Sequence, residues 1–125
     1  MQYEELNTAT ITALVHEFYD AVRAEPELGP VFNAAIGDNW DPHLARMVDF
    51  WSTVMMGTKQ FQGNVFGTHM QLNGIEPQHF RRWLALFEMT AARLFKPALA
   101  DEFLVVARRI AASLQYGFFG KVVAQ

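Results

Sequence analysis

Cysteine is absent from this 125-residue chain. Its absence excludes disulfides, thiolate metal ligands, zinc ribbons and the C-x-x-C-H covalent cofactor attachment. Long apolar runs are missing as well, and none approaches the ~18 residues of a membrane span. Glu4 and Glu5 precede any apolar stretch, so the N-terminus does not read as a signal peptide, and the expected setting is soluble and cytoplasmic. Charge is sparse and mixed, with 10 basic against 13 acidic residues and no long basic cluster. Nucleic acid and anionic membrane surfaces are therefore disfavoured as partners. Phosphate-binding and nucleophile-elbow signatures (G-x-x-x-x-G-K, G-x-G-x-x-G, G-x-S-x-G) do not occur. His16-Glu17 begins like a metalloprotease helix, but the fifth position is Asp20 rather than His. Glu76 to His79 is a single Glu-x-x-His, where a di-iron bundle needs two with further inward glutamates. His16 and His79 read as solvent-facing or helix-end residues. No repeat, low-complexity tract or linker breaks residues 1–125, which predicts a single domain.

What the chain does have is apolar and aromatic. Hydrophobic residues make up 51% of it, with 11 Phe and 3 Trp, enough to wall a cavity as well as fill a core. The apolar spacing is helical throughout, and no alternating run bounded by turns suggests a strand. Thr8 or Thr10 can cap a first helix whose stripe is Ile11, Leu14, Val15, Phe18 and Val22, with Tyr19 on its edge. Glu25-Pro26 ends it, Leu28-Gly29-Pro30 reads as a turn, and Pro30 to Ile36 as a short helix broken by Gly37-Asp38-Asn39. Asp41-Pro42 starts a helix that Gly57 closes, with His43, Met47, Phe50 and Val54 on one stripe. Pro77 opens a helix carrying Phe80, Trp83, Leu84, Phe87, Ala91 and Leu94, and Pro97 ends it. Asp101 and Glu102 favour the start of the last helix, where Phe103, Val106, Ala107, Ile110, Leu114 and Phe118 are buried. Arg108 and Arg109 fall off that stripe and should face water.

The chemistry centres on Gly63 to Leu72. Val65, His69 and Leu72 recur at i, i+4 and i+7, so a short helix from about Asn64 aims all three the same way. An imidazole on an apolar stripe has to be partnered. Two readings fit: a metal ligand facing a flat apolar cofactor, or a buried histidine bonded to a backbone carbonyl. His43 heads a second apolar stripe, though a histidine in a first helical turn is often simply surface. Tyr19 and Trp83 each carry one polar tip on an apolar body, on two further inward stripes. A haem site needs a proximal imidazole, an aromatic slot and a few donors above the iron; without cysteine, the iron ligand must be His, Met or Tyr.

Phe18-Tyr19, Leu28 to Asn33, Trp40 to His43, Phe50-Trp51, Gly57, the His69 segment and Phe80 to Leu84 together resemble the truncated haemoglobins of the third group. The resemblance runs from about Thr10 to Leu114 with order and spacing kept, and the glycine-pair signatures of the other truncated groups are missing. It implies an all-α, shortened globin fold, two helices over two, with noncovalent haem b between them. It further implies His69 as proximal ligand, Tyr19 as distal tyrosine, His43 as distal-helix histidine and Trp83 as the tryptophan beside the ligand. Phe18, Phe32, Met47, Phe50, Leu72 and Phe87 would wall the haem, and Arg46, one turn past His43, is the candidate cation for a propionate. His43 is not always histidine in this family, so its role as ligand donor, gate or second iron ligand stays open.

Three functions follow. The first is a haem protein binding O2, CO, NO or a similar diatomic, for storage, sensing or delivery. The second is a haem enzyme for NO detoxification or peroxide chemistry, which would need a partner reductase because nothing here resembles a reductase domain. The third is a haem-free helical interaction protein in which His69 is a satisfied core residue.

Overall fold

A computed structural model of the chain describes residues 2–57 and 75–119, with the side chains of 118 and 119 left out. The segment bearing His69 and Leu72, and residues 120–125, lie outside the described residues.

The described chain is all-α, as its spacing predicts. Five helices follow in order: α1 (Thr8–Ala24), α2 (Leu28–Ile36), α3 (Trp40–Met56), α4 (Pro77–Leu94) and α5 (Pro97–Phe119). Among the described residues the β content is one isolated bridge, Tyr3 to Phe95. It pins the N-terminal segment to the α4–α5 junction: Tyr3 N–H donates to Leu94 O at 2.7 Å, and Lys96 N–H donates to Tyr3 O at 2.9 Å.

Local chemistry sets the boundaries, and four of them correct the sequence reading. Asn7, rather than Thr8 or Thr10, caps α1: its Oδ1 accepts from Thr10 N–H at 2.9 Å, while Thr10 Oγ1 accepts from Asn7 N–H at 3.1 Å. Asn is as good a cap as Thr, and the reciprocal pair satisfies two donors at once. Leu28-Gly29-Pro30 is no turn but the first turn of α2. The Glu25 carboxylate makes that possible by accepting from Glu27 N–H at 3.0 Å and Leu28 N–H at 2.6 Å. The third helix begins at Trp40, one residue before the expected acidic cap, and Asn39 precedes it. Pro97 starts α5 instead of ending α4, and Asp101 and Glu102 fall a turn inside it. A proline suits a first helical turn because its missing N–H would have had no helical partner there. Gly57, at φ 70°, closes α3 in the left-handed region as expected.

Packing follows the stripes. The first helix touches α2, α3 and α4, and α4 packs along α5, so one pair (α1, α3) faces another (α4, α5). Ile11, Leu14, Val15, Phe18 and Val22 are all buried, as are Phe87, Ala91, Phe103 and Ala107. Among the described residues of the predicted stripes, Val54 is the exposed one, at 43%. At the α1–α2 corner a Cβ on Gly29 would sit 2.5 Å from the Arg23 backbone oxygen, so only glycine lets the two helices meet there. Arg82 of α4 locks the same corner, its Nη1 3.0 Å from Glu25 Oε1 and its Nε 2.9 Å from Glu27 Oε2.

Candidate functional site

Between α1, α2, α3, α4 and α5 lies an apolar cleft of about 670 Å³, counting its open mouth. Its described lining contains no Asp, Glu, Lys or Arg. The polar tips come from Tyr19, Trp83 and His79, and the walls from Phe32, Met47, Phe50, Trp51 and Phe80 among others. A flat apolar ligand with a polarised centre fits such a lining.

Tyr19 is brought in by its place on the α1 stripe and is 5% exposed. Its ring meets Phe18 edge-on at 5.0 Å and His43 edge-on at 5.3 Å. Burial pushes the pKa of its hydroxyl up, so the group keeps its proton and remains a donor. Trp83, one face of its helix away, is partly buried, edge-on to Phe18 at 5.4 Å and stacked on Phe87 at 5.8 Å. Phe87 in turn stacks on Trp51 at 5.1 Å. Phe18 and Phe87 thus stand behind the lining as its backing layer, whereas Phe32, Met47 and Phe50 are in the lining itself.

His43 is partly buried, with a buried Nε2, and its ring also meets Trp40 edge-on at 5.7 Å. It borders Tyr19 without lining the cleft. Arg46 sits on the exposed side of α3, also outside the lining. His69 and Leu72 are outside the described residues.

Three features escaped the sequence reading. His79 is a helix-end residue as expected, but it is 9% exposed rather than solvent-facing, and it lines the cleft. Its position three residues into the helix beside an apolar Phe80 was the available signal. Trp40 forms the outer wall of the Tyr19 pocket, its Nε1–H donating to Asn33 Oδ1 at 3.1 Å under the Arg23 guanidinium, 4.5 Å from the ring centroid. The last helix contributes Ile110, Ala111 and Leu114 to the lining; Ile110 and Leu114 are on its predicted buried face, whereas Ala111 is not. Among the described residues no group of three or more His, Asp or Glu is placed to hold a metal ion, so a carboxylate-bridged metal cluster has no support there.

The family described as Bacterial-like globin matches residues 2–114. This chain is a bacterial-like globin. The globin is 31% identical over 118 residues to the group 3 truncated hemoglobin of Campylobacter jejuni, covering 92% of this chain and 93% of that one. Its fold superposes on the crystal structure of the group III truncated hemoglobin from Campylobacter jejuni with a TM-score of 0.91 at 30% identity, covering 95% of this chain and 96% of the other. The resemblance to the third group of truncated haemoglobins holds, and with it the shortened globin fold. A globin is a haem-binding protein, and the apolar cleft with its few polar tips fits a haem. No described helix of the globin is long and apolar enough to cross a membrane.

Proposed function

We propose that this globin holds haem b noncovalently in the cleft, through His69 as the proximal ligand, and binds O2 or another diatomic on the side lined by Tyr19 and Trp83. When bound, the haem supplies an iron centre that takes diatomics such as O2, CO or NO. The observation that carries the reading is the cleft itself: apolar, free of carboxylates, lysine and arginine in its described lining, and bordered by a buried phenol and an indole in a chain of this family. Tyr19 and Trp83 each offer one hydrogen-bond donor to a polarised diatomic. Phe18 and Phe87 hold those two side chains in place, and Phe32, Met47, Phe50 and Leu72 exclude water around the cofactor. His43 borders Tyr19 and sets the polarity beside it, while Arg46 serves a propionate at the rim.

The test is a haemin titration of the purified protein, with spectra taken ferric, reduced, and reduced with CO. One-to-one binding, a five-coordinate reduced form and a CO shift are expected. Absence of saturable binding would overturn the reading. His69→Gly should lose tight haem binding unless imidazole is added, and full retention without imidazole would move the ligand role to His43.

A further inference from the structure

His79 is a buried histidine that the reading above leaves without work. It is the third residue of α4, and it lines the cleft beside Ile75 and Phe80. Its Nδ1 accepts from Glu76 N–H at 2.9 Å, which closes the helix start. An accepting nitrogen carries no proton, so the neutral ring carries its proton on Nε2. Metal ligation through Nε2 would need that proton moved to Nδ1, where it would confront the Glu76 N–H, donor against donor. With α4 formed, His79 is therefore an N–H donor and not an iron ligand.

A donor on an apolar wall pairs most strongly with a charged acceptor. No carboxylate is present in the described lining. The groups on a haem that accept hydrogen bonds strongly are its two rim carboxylates. Trp83 stands one helical turn further along α4, about 6 Å by helix rise. Trp83 is packed against Phe18, the neighbour of Tyr19, and His79 lies a turn back toward the helix start, on the same cleft wall. We propose that His79 donates from Nε2 to a propionate carboxylate of the cofactor, a positioning residue that retains and orients the haem. The inference rests on the haem reading above.

The test compares the rate of haem loss to excess apomyoglobin for the wild type and His79→Leu, each loaded with haem or with its dimethyl ester, which lacks the anionic acceptor. His79→Leu should speed the loss of haem roughly tenfold, the scale of one charge-assisted hydrogen bond, and leave the loss of the ester unchanged. His79→Gln, which can accept from Glu76 N–H and still offer an N–H to the cleft, should restore most of the retention. Should the leucine variant fail to fold, His79→Glu keeps the acceptor for the helix start and sets a carboxylate against the propionate, so it should lose haem faster than the ester. Equal acceleration with both cofactors, or none with haem, would overturn the proposal. A wild type that binds neither cofactor would overturn the haem reading itself.

Discussion

Tyr19 shows how a single residue can be both core and chemistry. Its ring completes the aromatic cluster around Phe18 at the cost of putting a hydroxyl out of bulk water. The hydroxyl borders the cleft, where a proposed diatomic would need a donor. Tyr19→Phe should therefore speed O2 release from the reduced, haem-loaded protein by about tenfold to a hundredfold, the worth of about 1.4–2.7 kcal/mol in a dry site. Stopped-flow O2 displacement reads this directly, and an unchanged rate would remove Tyr19 from the distal role. Burial also ties this hydroxyl to stability. Its folded pKa is raised above the ordinary value of about 10. Above that pH the unfolded chain has lost a proton that the folded chain retains, so stability falls as pH rises, by up to about 1.4 kcal/mol per pH unit for this group. Below it the contribution is constant. Urea midpoints between about pH 9 and 11 should drop less steeply for Tyr19→Phe than for the wild type.

At the scale of elements, the α1–α2 corner decides where the wall bearing Phe32 stands. Gly29 permits the close approach, and Glu25 spends one carboxylate on the start of α2 and on Arg82 of α4. Gly29→Ala gains helix propensity but drives a Cβ to 2.5 Å from the Arg23 oxygen, a backbone atom that cannot rotate away. The clash should prevail, lowering stability by about 1–3 kcal/mol in urea unfolding, the cost of overpacking. An equal or higher midpoint would mean that the corner opens freely. The same corner explains a misreading. Leu28-Gly29-Pro30 carries turn residues, but proline is equally at home in a first helical turn, and only the Glu25 carboxylate settles between them. Pro97 is the same ambiguity at the other end of the chain: it follows α4 by three residues and begins α5.

For the whole molecule, the apolar cleft is continuous with the core, sharing Tyr19, Leu28, Trp51, Phe80 and Leu114 with it. A cofactor that binds only the folded state stabilises it by mass action, by roughly 2.7 kcal/mol at a hundredfold excess over its dissociation constant. For a domain of this size that is an upward shift of about 10 °C in the thermal midpoint. Differential scanning fluorimetry with and without haemin checks it, and coincident midpoints would mean the cleft does not take haem. The molecule also ties down its own start, since Tyr3 bridges to Phe95 and Gln2 Nε2 donates to Ala92 O at 2.7 Å. The N-terminal segment is thus fixed to the α4–α5 junction.

Periodicity alone determined that the protein is helical, which faces are buried, and that Tyr19 and Trp83 point inward, because i, i+3, i+4 spacing on a helix leaves an apolar side chain one way to escape water. The spacing of Phe18-Tyr19, Trp40 to His43 and Phe80 to Leu84 carried the family as well. Only the tertiary structure decided which of the inward residues border a cavity and which back it. Phe18 and Phe32 share the same apolar character in sequence, yet one is packed behind Tyr19 and the other lines the cleft. His79 is the sharpest case. A histidine near a helix start is often exposed, and its burial depended on a hydrogen bond to Glu76 and on the packing of α4 against its neighbours, neither of which leaves a periodic trace.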